Sequence, residues 1–319
     1  MTNDQRPKGV RRMTAKQLPI NKTLIILLGP TASGKTDLAI DLANHFKTEI
    51  ISADSRQFYK EIPIGTAAPD SIQLAKVKHH FVGHLSVRDN YNVFRFEQDV
   101  LKLLEKGFQT REVFIMTGGS GLYIDAVCHG IDDLPDPDPM LRNSLDKLFK
   151  AQGIEALQQK LKELDPDYFR TVDLKNSKRL MRAIEVCLQT GKPYSQQRLK
   201  KGKERSFNII KIGLDAPRET LNQRINLRTD EMINAGWLDE AEAVFPLRNL
   251  NALNTVGYKE LFSYFDGERT LEEALVKIKT NTRRYAKRQM TWFRKDKSIH
   301  WFEPGKVEEI IGFIEKEIG

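Results

Sequence analysis

The chain has 319 residues, with 51 Lys and Arg against 43 Asp and Glu, so its formal net charge is +8. Hydrophobic residues make up 40% and charged residues 29%, which excludes collagen-like, low-complexity and wholly disordered chains. The longest clean apolar run, at 24–28, is far shorter than the roughly 20 residues that span a bilayer. No membrane association is therefore expected, and the length predicts two domains or one domain with an insertion.

The chain begins with a basic, polar stretch. Residues 1–22 have no apolar h-region of a secretory signal, so they are predicted to form a flexible tail, with an organellar presequence as the alternative. The two cysteines, Cys128 and Cys187, have no Cys or His at metal-ligand spacing, which predicts neither a disulfide framework nor a zinc site. A reducing cytoplasm is the expected location.

Short apolar runs alternate with helical patterns along the chain. The run at 23–28 precedes Gly-Pro, and 35–46 repeats apolar residues at helical spacing, which predicts a strand, a tight loop and a helix. Further strands are predicted at 50–52, 113–116 and 209–214, with helices at 93–104, 221–233 and in the C-terminal third. This alternation predicts an α/β fold whose core is a P-loop NTPase-like, doubly wound parallel sheet.

The pattern changes in the middle of the chain. Pro135, Pro137 and Pro139 open a long basic stretch with helical periods and no convincing strand. We therefore predict a helical insertion domain over 135–205 that divides the α/β core into 23–134 and 206–319.

The basic residues are concentrated in three blocks. Residues 1–22 carry six Lys or Arg against one acid, 141–205 carry sixteen against eight, and 280–297 carry seven against one. Since neutralised phosphates provide most sequence-independent affinity for nucleic acids, the three blocks together indicate a polyanionic partner. A solvated charged face is the simpler interpretation of any single block.

Residues 29–36 (GPTASGKT) match the phosphate-binding pattern G-x-x-x-x-G-K-[ST] between a predicted strand and a predicted helix. The glycines let backbone amides wrap a phosphate chain, the lysine adds a positive charge, and the final threonine hydroxyl is placed to bind Mg²⁺. The motif leaves open whether the phosphates belong to a nucleotide. The loop residues are Gly29, Pro30, Thr31, Ala32, Ser33, Gly34, Lys35 and Thr36.

An acidic residue follows the second predicted strand. Phosphate-loop hydrolases hold Mg²⁺ with an acid that ends a later strand, but the strand at 113–116 leads instead into Gly118, Gly119 and Ser120. Asp54 lies after the strand at 50–52, at the sheet edge where such folds bind substrates. It could accept a proton or bind a metal, and a turn or helix-capping role is the alternative.

Seven segments together resemble the bacterial tRNA dimethylallyltransferases, also called tRNA isopentenyltransferases. They are 29–36 (GPTASGKT), 54–57 (DSRQ), 64–67 (IGTA), 118–123 (GGSGLY), 178–186 (KRLMRAIEV), 256–260 (VGYKE) and 282–294 (TRRYAKRQMTWFR). The resemblance implies transfer of a dimethylallyl group from its diphosphate to the N6 amine of the adenosine 3′ of the anticodon. It also implies Mg²⁺ as cofactor, the anticodon stem-loop of tRNA as partner, and a monomer.

The resemblance also implies roles for individual residues. The donor diphosphate would lie in the loop 29–36, with Thr31 near the leaving oxygen, Asp54 as general base and Thr36 on the metal. Either Arg224 or Arg228 would hold diphosphate, and we favour Arg228. Implied tRNA contacts are Asp54, Ser55, Arg56, Gln57, Ser120, Arg142, Lys178, Arg179, Leu180, Met181 and Arg182. Ser120 and Ala68 depart from the threonine and lysine that the family often has there.

Three other functions stay open at this point: a phosphate-loop kinase for a small metabolite, a prenyltransferase acting on free adenine nucleotides, and a non-catalytic RNA-binding protein. Some residues that invite functional roles have simpler structural interpretations. We expect a structural or loop role for His79, His80 and His84, and core packing for Cys187, Tyr285, Trp292 and Phe293.

Overall fold

The computed structural model describes residues 22–198 and 202–319. The predicted tail therefore lies outside the described residues, except for Lys22. One parallel sheet contains the strands β1 (Thr23–Leu28), β2 (Ile50–Ser52), β3 (His79–His80), β4 (Val113–Gly118), β5 (Asn208–Leu214) and β6 (Ile299–Phe302). The strand order is β3-β2-β4-β1-β5-β6.

The helices of the core surround this sheet. Before the insertion they are α1 (Lys35–His45), α2 (Ser71–Lys76), α3 (Val93–Gly107) and α4 (Gly121–His129), and the insertion contains α5 (Pro139–Leu164), α6 (Pro166–Phe169), α7 (Ser177–Thr190) and α8 (Tyr194–Gln197). After it follow α9 (Arg218–Asn234), α10 (Trp237–Val244), α11 (Tyr258–Phe265), α12 (Leu271–Phe293) and α13 (Val307–Ile318). The predicted α/β class with a parallel sheet is confirmed.

The side chains of the central strand β1 are buried on both faces of the sheet. All six of its residues are buried, and successive side chains of a strand point to opposite faces. Leu24 and Ile26 pack in one apolar cluster with residues of α3 and α4, whereas Ile25 and Leu27 pack in a second cluster with residues of α1 and α13. A continuous apolar run such as 24–28 is typical of a parallel strand between two helical layers.

The insertion has an apolar core of its own. Helices α5 and α7 meet in a cluster that includes Leu145, Leu157, Leu161, Leu180 and Ile184. The Asp138 carboxylate caps the start of α5, and α5 bends at Gly153, whose φ of 75° is in the left-handed region.

Helices α9 to α12 form a further apolar cluster beside the sheet. It includes Trp237, Tyr258, Leu261 and Ile278. The long helix α12 begins with a capping box in which Thr270 and Glu273 accept each other's backbone N–H groups. In the part of the chain that the structure describes, no helix is long and apolar enough to cross a membrane.

Candidate active site

The phosphate-binding motif folds as its sequence predicts, as a loop between a strand and a helix. Strand β1 ends at Leu28 and α1 begins at Lys35. Gly34 caps the helix with a φ of 89°, a conformation that glycine adopts without strain. The Lys35 ammonium curls back over the loop and donates to the carbonyl of Pro30 at 2.7 Å. The helix N-terminus and the loop amides together form a site suited to an anion.

The environment of Lys35 favours an incoming negative charge. Burial lowers the pKa of Lys35 to about 7, the negative charge of Asp54 opposes this shift, and the positive charge of Arg228 adds to it. Among the described residues, no carboxylate lies within ion-pair distance of Lys35. A bound phosphate would supply the missing opposite charge.

Asp54 lies just past β2, beside the phosphate loop. Its Oδ1 accepts the backbone N–H of Arg56 at 3.0 Å. Burial raises the pKa of Asp54, and the positive charges of Lys35 and Arg56 oppose that shift. A carboxylate in such a setting accepts a proton more readily than an exposed one.

Asp54 and Thr31 of the phosphate loop border a single cavity of about 100 Å³. Thr31, Asp54 and Arg228 contribute polar groups to its lining. Much of the remaining wall is apolar or aromatic and includes Ile225, Met232, Trp237, Val256, Ile278 and Tyr285. The cavity thus joins an anion-binding loop, a potential base and an apolar chamber.

The two candidate arginines of α9 both face the phosphate loop, but they differ in position. Arg228 borders the cavity, and its Nη1 donates to the Thr31 hydroxyl at 3.4 Å. Both arginines also border a groove of about 440 Å³ on the side of Gly34 and Asp37. Burial lowers the pKa of Arg228 from its ordinary value. Arg228 borders both spaces. Its guanidinium can therefore contact an anion that lies in the loop or in the cavity.

Gln289 is a site residue for which the sequence predicted no role. Its Oε1 accepts the backbone N–H of Thr31 at 2.9 Å, and its Nε2 donates to the Gly119 carbonyl at 2.9 Å. A Cβ at Gly119 would lie 2.1 Å from the Gln289 Nε2. This amide therefore ties the phosphate loop to the end of β4. The sequence feature that could have pointed to Gln289 was its place in the 282–294 segment. Its burial, which is unusual for a glutamine, is visible in the structure.

The segment 54–57 has two kinds of contact. The Ser55 backbone N–H donates to the Ser120 hydroxyl at 3.0 Å, which brings Ser120 to the edge that carries Asp54. By contrast, the Arg56 guanidinium donates to the carbonyls of Asn251 and Ala252 at 2.8 and 2.9 Å. The Gln57 amide likewise donates to the Ala67 carbonyl at 2.9 Å. Arg56 and Gln57 thus also hold neighbouring segments of the protein.

The segment 178–182 divides into surface and core. Lys178 and Arg179 are exposed near the start of α7. Leu180 and Met181 are only 0% and 6% exposed and pack in the insertion core. These two side chains therefore present little surface to RNA, and the tRNA contacts implied for the segment stay a prediction.

A buried carboxylate fixes Arg142 and Arg182, the other two arginines of the insertion for which tRNA contacts are implied. Glu185 is fully buried. It accepts from Arg142 at 3.2 Å (Nε) and 2.6 Å (Nη2), and from the Nη1 of Arg182 at 2.8 Å. Arg182 also donates to the Pro135 carbonyl at 2.6 Å. Glu185 thus positions both guanidinium groups and joins α7 to the start of the insertion.

The histidines, the cysteine and the aromatic residues for which structural roles were expected mostly have such roles. His80 Nε2 lies 2.6 Å from the Glu49 carboxylate, and His84 packs edge-on against Phe58. Cys187 and Phe293 are buried, as predicted. Core packing was the wrong expectation for two aromatic residues: Tyr285 borders the cavity, and Trp292 is 39% exposed.

Basic residues of 280–297 also line a separate surface groove. Arg283, Arg284, Lys287 and Arg294 border a groove of about 810 Å³ together with Arg218 from the start of α9. The groove is lined mainly by residues of α9, of α12 and of the turn before α9. Such a surface is suited to a polyanion.

Comparison with known proteins identifies relatives over most of the chain. The model of the IPP transferase family matches residues 57–296. A tRNA dimethylallyltransferase of Christiangramia forsetii is 53% identical over 92% of this chain and 98% of its own length. The tRNA dimethylallyltransferase 2 of Azobacteroides pseudotrichonymphae is 52% identical over 90% and 94%. The crystal structure of a tRNA isopentenylpyrophosphate transferase from Bacillus halodurans matches with a TM-score of 0.69 and 33% identity, over 93% of this chain and 97% of that one.

Proposed function

The chain belongs to the IPP transferase family, and we propose that its cavity transfers a dimethylallyl group from dimethylallyl diphosphate to tRNA. The acceptor is the N6 amine of the adenosine 3′ of the anticodon, and diphosphate is released. The observation that carries this proposal is the single cavity shared by Thr31, Asp54 and Arg228. A phosphate site, a base and an apolar chamber are the three features that alkylation of an amine by an allylic diphosphate requires.

The leaving group is stabilised by the phosphate loop. As the C–O bond of the donor breaks, its electron pair goes to the diphosphate, and negative charge grows on the bridging oxygen. The loop amides, Lys35 and Arg228 then interact more strongly with the diphosphate than in the ground state, which lowers the barrier. Gln289 supports this step because it fixes the backbone of Thr31.

The nucleophile needs orientation and a proton acceptor. An adenine amine is weakly basic, so it must lose a proton as its nitrogen bonds to the allylic carbon. We assign that proton to the carboxylate of Asp54. Diphosphate leaves with the electron pair of the broken bond, and Asp54 takes the proton of the amine. The product base then carries a neutral secondary amine.

The residues of the loop also suit Mg²⁺. This ion prefers oxygen ligands, keeps several waters and is often held through substrate phosphates. The Thr36 hydroxyl at the start of α1 is a ligand of this kind, and the described residues contain no cluster of three or more acidic, His or Cys side chains that would form an all-protein site. We propose that Thr36 holds Mg²⁺ together with the donor, where the ion would neutralise diphosphate charge.

The acceptor must leave its stacked loop to reach Asp54. Unstacking a base costs a few kcal/mol, which contacts to the RNA backbone offset. We propose that Ser55 and Ser120 line the route to Asp54 and that Arg142, Lys178, Arg179 and Arg182 of the insertion contact the anticodon stem-loop. We retain the cytoplasm as the expected location and a monomer as the expected state.

The test is transfer of label from dimethylallyl diphosphate to an anticodon stem-loop. The matched control is the same RNA with inosine at the target position, which replaces the amine with a carbonyl. We expect label in the adenosine RNA alone. Absence of label from that RNA, or equal labelling of both, would contradict the proposal.

A further inference from the structure

Trp292 is a partly exposed aromatic residue whose orientation is fixed. It lies near the end of α12 and is 39% exposed. The indole N–H donates to the Asp125 carboxylate of α4 at 2.9 Å. A Cβ at Gly121 would lie only 2.4 Å from the indole Cδ1 and 2.5 Å from its Nε1. The five-membered ring is therefore packed against α4, and the indole needs little reordering to bind a planar ligand.

The indole borders a second cavity, between α4, the end of α12 and the start of α7, which we call the Trp292 pocket. Its volume is about 470 Å³, within the range of roughly 300–1,000 Å³ that is typical of sites for small organic groups. Arg179 of the insertion and Lys295 also line it. Both are exposed, and the Lys295 ammonium lies 6.0 Å from a ring centroid of the indole. The pocket therefore joins an aromatic surface with cations from both the core and the insertion.

Polar groups in fixed positions form another part of the Trp292 pocket. Lys211 of β5 is 6% exposed, which is unusual for a lysine. Its Nζ donates to the Asp296 carboxylate at 2.6 Å and lies 3.1 Å from the Nε2 of His129. All three residues line the pocket. Together with the indole, they offer a stacking surface and hydrogen-bonding groups for the edge of a base.

The Trp292 pocket lies close to the edge of the sheet that carries Asp54. The indole packs on the residue after Ser120, and the Ser120 hydroxyl accepts the backbone N–H of the residue after Asp54. Along α12, Trp292 is three residues beyond Gln289, or about 4.5 Å along the helix axis, and Gln289 contacts the phosphate loop. An RNA loop that presents one adenosine to Asp54 therefore brings the neighbouring nucleotides near the pocket.

We propose that the Trp292 pocket binds an unpaired base next to the target adenosine, and that this base stacks on the indole. Aromatic surfaces flanked by cations are the combination with which proteins bind single-stranded nucleic acid, because every base has a π face and every nucleotide a phosphate. Arg179 and Lys295 are placed to contact the adjoining phosphates. This inference rests on the proposed function, since it takes tRNA as the occupant of the pocket.

The experiment combines Trp292→Ala with abasic sites in the RNA. Filter binding measures the Kd of the anticodon stem-loop when it is intact and when it lacks the base 5′ or 3′ of the target. We expect Trp292→Ala to raise the Kd of the intact RNA about 10-fold. One abasic site should weaken binding to the wild-type protein by a similar factor and should have almost no further effect in Trp292→Ala. Val276→Ala, which truncates an exposed apolar residue of the same helix outside the pocket lining, should keep the wild-type Kd.

Two further variants separate stacking from apolar contact. Trp292→Phe keeps an aromatic face and should retain most of the affinity for the stem-loop. Trp292→Leu keeps an apolar side chain without a π face and should bind as weakly as Trp292→Ala. A general loss of packing at this position would instead weaken all three variants alike.

The outcomes separate the two proposals. If each abasic site has the same effect in the wild-type protein and in Trp292→Ala, or if Trp292→Leu binds as well as Trp292→Phe, the stacking inference is wrong. Transfer of label to the intact stem-loop would then still support the proposed function. If the wild-type protein neither binds nor labels the stem-loop, the proposed function fails, and the stacking inference fails with it.

Discussion

The cations of the core site and those of the insertion differ in whether a carboxylate neutralises them. In the core, Lys35 and Arg228 have no carboxylate within ion-pair distance in the described part of the chain, and burial lowers the pKa of each. In the insertion, Arg142 and Arg182 share the buried carboxylate of Glu185. The core cations are therefore incompletely compensated, whereas the insertion arginines are already neutralised in part and fixed in position.

The difference indicates two ways of meeting a polyanion. A buried cation without a counter-ion gains most when an anion arrives, which supports the proposal that the core binds and stabilises diphosphate during the reaction. Arginines that are already oriented gain less energy, but they present a defined surface to RNA. We therefore expect core substitutions to change the rate of the chemical step and insertion substitutions to change the recognition of RNA.

The largest effect is expected for Asp54→Ala. Loss of the proton acceptor should lower transfer by about 1,000-fold, while the Kd for the stem-loop should change little because the cations remain. Single-turnover transfer and filter binding measure the two quantities. A parallel loss of transfer and binding would instead indicate a structural role for Asp54.

Arg228→Ala should have the next largest effect, with Arg224→Ala as its matched control on the same helix. Because Arg228 borders both the cavity and the outer groove, its loss should lower kcat/KM for the donor by about 100-fold. The loss of Arg224, which borders only the outer groove among these spaces, should lower it by at most about 5-fold. The reverse order in steady-state kinetics would transfer the main role to Arg224.

A smaller effect concerns the pH dependence of diphosphate binding. The pKa of Lys35 is lowered to about 7 in the ligand-free site, so the side chain is largely neutral above that pH, and a bound anion raises its pKa again. Binding should then take up protons above pH 7, and the Kd for inorganic diphosphate should rise with pH by up to about 10-fold per unit. Calorimetry in buffers of different ionisation enthalpy measures this uptake, and uptake confined to pH values below 7 would contradict it.

The smallest effect is expected for Glu185→Gln. The amide keeps the shape of the side chain but leaves Arg142 and Arg182 without their shared charge, so their positions should loosen. We expect KM for the stem-loop to rise about 5-fold with kcat nearly unchanged. Glu155→Gln removes one negative charge from an exposed position of the same insertion. If both variants change KM equally, net charge and not positioning is responsible.

The sequence predicted the features that depend on local pattern. The predictions of β1, the phosphate loop and α1 are confirmed, because each of these elements is determined by residues adjacent in the sequence. Strand β3 was not predicted because His79 and His80 form no apolar run. The role of Gln289 was also missed, since it depends on a hydrogen bond to Thr31, which is 258 positions away.

Glu185 shows the same limit within the insertion. Its segment was identified by resemblance, and the two arginines were assigned to RNA, but the carboxylate between them was given no role. Arg142 is 43 positions from Glu185, so no local pattern joins them. The burial of Leu180 and Met181 was likewise set by the packing of α5 against α7.

The proposed chemistry is alkylation of an adenosine within tRNA. It can be tested in one reaction mixture that contains labelled dimethylallyl diphosphate, the anticodon stem-loop and AMP at equal concentrations. We predict label in the stem-loop and none in AMP, because in our proposal only the RNA reaches the insertion and the basic residues of α12. Label in AMP alone, or at the same rate in both, would contradict this assignment of the acceptor.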